Sequence, residues 1–514
     1  MVLSVTSAAT FAGGLLTNTN HNITFNRNFA RDGAIGIDGV YSNPAGVAFL
    51  GKGLHMSFNI QNVSQTRTIL SGMSVENPSA LSGLSDAAWK QTPFYQPFKM
   101  NGGDENGVKE FKGTAQVPIL PSFQIAKNYD KWGVQVGFSL IGGGGKCTFN
   151  NGLGSFERDI AMIPALLYTK GVNKTAPYSY GVNSYINGQQ YIFGVQVGGT
   201  YKINEHMAVY GGLRFNYIFN KYEGSITNIS ATIGGEEKNL NKYFNSQAES
   251  LNQMAFYYYM RAQDVTDPTE KARYGAMAKQ YGATAEQMTA TGEQFADRYL
   301  DCTQTGWSIC PIIGFDFNYG KWNIGTRLEF TTHCNIENKT KRDDTGLFQD
   351  GVNTPGDIPG IWAVGVQYEI LKNWRVMGSY HYYFDKNAKM ANDKQKALSS
   401  NTQEFLAGTE FDITPDITVS CGGQRTKYGL GDGEYLSDMS FVTSSYSFGF
   451  GAKFRIMEKV KLNIAYFFTN YEHFNKEYNR SIIVTEGAPA INTKCTDDFT
   501  RTNKVLGVGV DIDL

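Results

Sequence analysis

VTSSYSFGFGAKFRI (Val442–Ile456), MEK (Met457–Lys459) and VKLNIAYFFT (Val460–Thr469) decide the fold. In the first run the even positions read Val442, Ser444, Tyr446, Phe448, Phe450, Ala452, Phe454 and Ile456. The odd ones read Thr443, Ser445, Ser447, Gly449, Gly451, Lys453 and Arg455. The second run alternates in the same way, with Val460, Leu462, Ile464, Tyr466 and Phe468 against Lys461, Asn463, Ala465, Phe467 and Thr469. Side chains of a β-strand point to opposite faces in turn, so each run is a strand with one apolar face and one face of small and polar residues. Three residues between them make a tight turn. The chain closes on a third such strand, with Leu506, Val508, Val510, Ile512 and Leu514 against Gly507, Gly509 and Asp511.

A soluble sandwich alternates too. Two features argue instead for a transmembrane barrel. The polar faces carry Gly, Ser and Asn with isolated charges, as a lumen does, rather than dense Lys and Glu. The connections also alternate between short and long from the first strand to the last, as in an up-and-down barrel with tight periplasmic turns and long external loops. About 14 antiparallel strands are predicted, near 53–67, 116–127, 132–141, 191–202, 206–231, 306–319, 321–338, 359–371, 373–385, 403–413, 416–427, 442–456, 459–473 and 503–514. One long loop, 240–300, is a helical insertion. Phe244, Leu251, Met254, Tyr258 and Ala262 recur at helix spacing. Asp267-Pro268 opens a second helix that ends at Gly282, and Thr284 opens a third.

Composition agrees. The 514 residues include 57 Gly, 30 Tyr and 33 Phe but only 14 Pro, and 18% are charged. That balance suits long paired strands better than a helical enzyme or a disordered chain. A net charge of -1 gives no electrostatic case for a nucleic-acid partner. No apolar run is long enough for a membrane helix, while a barrel strand crosses with about ten residues. Residues 1–12, with Ala8, Ala9, Thr10 and Ala12, read as the remnant of a secretory signal peptide. The six Cys (147, 302, 310, 334, 421, 495) lack metal spacing, so no metal or other cofactor is expected; in an oxidising envelope some could pair.

Residues 13–52 do not alternate. Rich in Asn and Gly, they precede the first strand of the barrel (53–514) and are expected to fold into its lumen as a plug. Here the sequence resembles a known family. Asp38-Gly39-Val40-Tyr41-Ser42-Asn43-Pro44-Ala45-Gly46 is similar to the plug–barrel junction of the FadL family of outer-membrane transporters of hydrophobic compounds. Val117-Pro118 to Phe123, Asp130 to Val134, Thr326-Arg327-Leu328-Glu329, Ile358-Pro359 to Val366 and Tyr446–Lys459 resemble later strands of that family in order. The external loops diverge from it, and the chain ends in Leu514 where barrels commonly end in an aromatic residue.

The resemblance implies a 14-stranded outer-membrane barrel with an N-terminal hatch. It implies passive uptake of hydrophobic small molecules such as long-chain fatty acids, captured by the outer loops and released sideways at a kinked third strand. Partners are then the hydrophobic ligand, membrane lipid and lipopolysaccharide, with the protein a monomer. Gly142, Gly143, Gly144 and Gly145 fit the exit kink, with a gap to the fourth strand near 191–202, or a flexible loop start. Met254, Phe256, Tyr257, Tyr258, Tyr259 and Met260 fit an external ligand groove, or packing between loop helices. Arg214, Asp316, Arg327, Glu329, Arg425, Lys453, Arg455 and Lys461 fall on polar faces, where they either hold a ligand carboxylate or pair with one another and with Arg31 and Asp32 of the plug. An adhesive barrel that binds a partner through its loops is the alternative. A membrane lipid hydrolase has little support: His381 lies near Asp385, but no Ser motif accompanies them, and no catalytic residue is assigned.

Overall fold

The structure, a computed structural model, describes residues 17–75, 83–482 and 491–514. The signal-peptide stretch and the first residues of the expected plug lie outside these. Fourteen strands make the wall: β1 Gly53–Val75, β2 Val108–Asn128, β3 Trp132–Phe149, β4 Tyr180–Lys202, β5 Met207–Ile233, β6 Arg298–Tyr319 and β7 Trp322–Glu329, then β8 Ile361–Leu371, β9 Trp374–Tyr383, β10 Ser400–Thr414, β11 Ile417–Gly429, β12 Ser445–Met457, β13 Val460–Tyr471 and β14 Ile491–Asp513. Each pairs antiparallel with its neighbours, and β14 returns to β1 in register from His55↔Asp513 to Val75↔Thr493, so the sheet closes. Closure leaves no strand edge facing lipid.

The alternation decides which face meets lipid. On β12, Tyr446, Phe448 and Phe450 are exposed on the outer wall while Ser445, Ser447 and Gly449 are buried inside. Aromatic residues gather beside the tight turns: Tyr129 stacks on Trp132, and Trp322 packs on Tyr368. With Tyr319 and Trp374 they make the girdle expected where a barrel leaves the bilayer core. Phe450→Lys should therefore destabilise the barrel by about 2–4 kcal/mol. Reversible unfolding in lipid vesicles measures it, and an unchanged midpoint would mean that Phe450 does not face lipid.

Several strands outrun their predicted ends. β1, β2, β4, β6 and β14 continue past the lipid, where their outer faces turn polar. The strand expected over 321–338 breaks after Glu329, and Asn335–Asp343 pairs instead with the outer half of β6. Three further short strands, Glu236–Asn239, Asn353–Pro355 and Phe474–Ile482, also sit at the loop end. Only two helices form in the long insertion, Leu240–Asp264 and Pro268–Glu293. The second runs through Gly282, because one half-buried glycine costs a packed helix only about 1 kcal/mol. Loops 384–399 and 430–444 fold over the bore. Met390, Leu398, Leu430, Leu436 and Phe441 bury against Ile69, Phe111 and Phe499 of the wall. All six cysteines are free, five of them buried and Cys421 exposed.

Candidate functional site

The N-terminal segment fills the lumen. Residues 21–34 are buried without interruption, and Ile23–Arg27 forms a short helix whose Asn22 cap accepts from the Thr24 amide. The wall meets it with glycines. A Cβ on Gly365 would strike the backbone of Gly33, one on Gly325 the carbonyl of Asp32, one on Gly408 the side chain of Asn28, and one on Gly449 the carbonyl of Asn26. The small inward residues that make the alternation so clean are thus places where plug and wall approach closely. Hydrogen bonds complete the contact. Asn22 donates to Gln124, Gln135 to the Pro44 carbonyl, Gln196 to the Val40 carbonyl, and Asn128 to the Val47 carbonyl.

The lumen charges pair with each other and with the plug. Asp32 takes Arg327 at 2.9 Å on one oxygen and His381 at 2.8 Å on the other. His381 also reaches Glu404 at 2.9 Å, so its partners are these two acids and not Asp385. Arg327 continues to Glu329, which holds Arg214 at 2.5 Å. Arg31 binds Asp38 at 2.7 Å and, with Arg27, Glu410. Asp316 accepts from Asn43 and Asn323. Asn43 also caps the turn that begins Pro44-Ala45-Gly46 by accepting from the Gly46 amide. Near the tight-turn rim Lys453 lines a vestibule with Glu410, while Arg455 pairs with Asp416 and Lys461 with Asp513. Arg425 is a correction: it points outward from β11, over the Tyr446 ring at 4.1 Å and to Glu472 at 2.8 Å. Its neighbours Gln424 and Thr426 face the lumen, where both donate to Glu404.

Above the plug lies a cavity of about 140 Å³. Phe25 and Phe29 of the plug form its floor, with Val63, Phe467 and Val505; Glu404, Gln424 and Thr426 form a polar side. A third side is Val117 and Leu120 of β2 and Leu140, Gly143 and Gly145 of β3, and here the wall is interrupted. β2 and β3 pair from Asn128↔Gly133 to Phe123↔Phe138, then not again until Ala115↔Cys147. Pro118 and Pro121 fall in the unpaired piece of β2 and have no N–H to donate. Opposite them Gly143 and Gly145 take positive φ, 97° and 69°, and β3 bulges against β4 between Leu140 and Gly145. The gap therefore lies on the β2 side of β3, not on the β4 side that the glycines alone suggested; β4 follows the bulge and stays paired. The N-terminal segment stands in for the missing neighbour. Thr17 bridges Gly142, and Asn18 donates its amide to the Ile141 carbonyl at 2.8 Å and its side chain to Leu140 and Gly143.

No family model and no curated protein matches the chain. Among solved structures, a FadL homologue of Pseudomonas aeruginosa superposes over 98% of this chain and 100% of its own, with a TM-score of 0.56 at 11% identity. The fold is that of the FadL homologue. The toluene transporter TodX of P. putida aligns over 93% of this chain and 94% of its own, with a TM-score of 0.48 at 12% identity.

In this FadL-type barrel the residues singled out in the helical insertion form an exposed patch and not a walled groove. Met254, Phe256, Tyr257, Tyr259 and Met260 are all more than two-fifths exposed on the first helix, and Tyr258 alone packs inward, stacked on Tyr274 and Tyr281 of the second. The sequence reading missed the cavity floor, because Phe25 and Phe29 sit in a segment without periodicity. It also missed the role of Pro118 and Pro121, although two prolines in one strand were a visible sign of broken pairing.

Proposed function

We propose that this protein is an outer-membrane transporter for passive uptake of hydrophobic small molecules, amphiphiles such as long-chain fatty acids among them. The observation that carries this reading is a cavity whose side is a break in the barrel wall, held shut by the plug's own Thr17 and Asn18. With an apolar floor and a polar side, the cavity at rest has room only for a small group. A longer chain fits by running on through the gap into the bilayer. Burial is worth about 0.8 kcal/mol per CH₂, so such a chain leaves sideways into lipid rather than downward into water.

The loop end faces outside in this reading, and the exposed patch around Phe256 and Tyr257 receives ligand first. The outer wall contacts membrane lipid and, at the loop end, lipopolysaccharide; a single copy suffices, because the cavity and gap lie within one chain. No residue of the site acts as an enzyme group, since the charged cluster is consumed in plug–wall pairs. Uptake of radiolabelled oleate by cells that lack their own transporter tests the proposal. Cells given this chain should accumulate the label faster than cells given an empty vector; rates no higher than the vector's for oleate, and likewise for labelled toluene, would overturn it.

A further inference from the structure

Arg67 of β1 and Arg501 of β14 stand directly opposite each other across the seam that closes the barrel, both pointing inward. Both are more than nine-tenths buried. Like charges facing each other across a strand pair repel, and a buried charge is normally paired. Every other deeply buried arginine of the lumen and its cap has a carboxylate: Arg27, Arg31, Arg158, Arg214 and Arg327 each form an ion pair. Among the described residues these two have none. Arg501 is positioned by neutral groups, donating to the Phe441 carbonyl and the Gln65 side chain and lying 4.9 Å from the centre of the Tyr471 ring. Among the described residues the Arg67 side chain has no hydrogen-bond partner, and the Nε of each arginine is buried without one.

The pair is linked to the cavity described above through its neighbours. Gln65 and Tyr471, which hold Arg501, line it. Arg67 lines a second pocket of about 20 Å³ beside Cys147 and Met439, and Gly145 borders both. That space admits about one water-sized group, such as a single oxyanion oxygen.

We propose that Arg67 and Arg501 are the binding site for the oxyanion head of an acidic amphiphile, whose tail lies on the apolar floor of the cavity beside the wall gap. This rests on the transport reading and narrows it, from hydrophobic molecules in general to those that carry a carboxylate, sulfonate or phosphoryl group. A planar guanidinium offers paired donors matched to such oxygens, and two of them on facing positions of the seam, with no protein acid paired to either among the described residues, leave a charge that the ligand itself neutralises. Glu404, the acid on the far side of the cavity, is already engaged by His381, Tyr383, Gln424 and Thr426.

The test is equilibrium binding of octanoate, octyl phosphate and 1-octanol to the full chain in phosphatidylcholine nanodiscs, with empty discs as the blank. The two acids should bind about 10- to 100-fold more tightly than the alcohol, the range set by charged hydrogen bonds. Arg67→Gln and Arg501→Gln should each remove that preference and leave the alcohol's affinity unchanged. Acids bound no better than the alcohol, or a preference that survives both substitutions, overturns the head-group site alone. If none of the three binds, the transport reading fails, and the pair is judged by inorganic phosphate. At equal ionic strength phosphate should raise the melting temperature of the ligand-free protein above its value in chloride, and should not do so in Arg67→Gln. Equal melting in both salts overturns the site whatever the fate of the variants.

Discussion

Asp32→Ala should loosen the plug while the barrel stays intact. The carboxylate is buried, bonded to Arg327 on one side and His381 on the other, and its backbone N–H approaches the Ser379 hydroxyl. Breaking a buried ion pair from one side costs about 3–5 kcal/mol, because the partners are left charged and dry. Here that cost falls on the contact between plug and wall. Arg327 retains Glu329 and the Ser42 carbonyl, and His381 retains Glu404, so the wall strands keep their own network. A protease should then cut within residues 17–40 of the folded variant and leave the strands uncut. Arg455→Gln is the comparison. It removes a pair with Asp416 in which both side chains are well exposed, and should change stability by less than about 1 kcal/mol. A plug as protected in Asp32→Ala as in the parent would mean that the glycine contacts hold it without the charges.

Joining the two sides of the wall gap should stop uptake. Leu120 and Leu140 border the cavity from β2 and β3 where those strands are unpaired. Cysteines at both positions, in a Cys421→Ser background that removes the exposed native thiol, can be linked by a short bismaleimide. If ligand leaves between β2 and β3, the linked protein should transport no faster than cells without it, while each single cysteine blocked by a monofunctional maleimide should transport. Unchanged uptake in a fully linked population would direct the path straight down the bore. A substitution at Gly142 would not separate these routes, because it also disturbs the bridge to Thr17.

The fourteen strands were legible because each outer face meets lipid, which tolerates only apolar side chains at alternate positions. Beyond the lipid that constraint ends. Thr66 and Thr68 of β1 face water, and so do Thr502 and Lys504 of β14, yet the ladder runs on to Val75↔Thr493. Periodicity reads the environment of a strand and not its hydrogen bonds, which is why the predicted ends fell short. Val442 shows the reverse error: it continues the apolar alternation but is buried beneath the loop cap, ahead of β12. For the site, the glycines at 142–145 pointed to the right strand. Which neighbour had let go was a question of pairing, and pairing is not local. The partners of Asp32 lie nearly 300 residues or more away along the chain, so their meeting belongs to the closed barrel rather than to any segment. Arg425 was misplaced because an arginine in a membrane strand suggests the lumen; the Tyr446 ring and Glu472 carboxylate that make its outward position tolerable are on other parts of the chain.

The glycines that cradle the plug have a consequence for what the barrel lets pass. A 14-stranded wall encloses a wide bore, and at Gly325, Gly365, Gly408 and Gly449 it contributes no side chain to fill that bore. The plug, by its backbone at three of these positions and by the Asn28 side chain at Gly408, is the packing material there. Withdrawn completely, it would leave a broad hydrophilic pore edged by peptide groups, open to water, salts and small metabolites alike. If ligand leaves sideways as proposed, only the first few residues need swing off β3 to admit a chain. The stretch seated on the glycines would stay, and greasy traffic would pass without the electrical leak an empty bore would conduct.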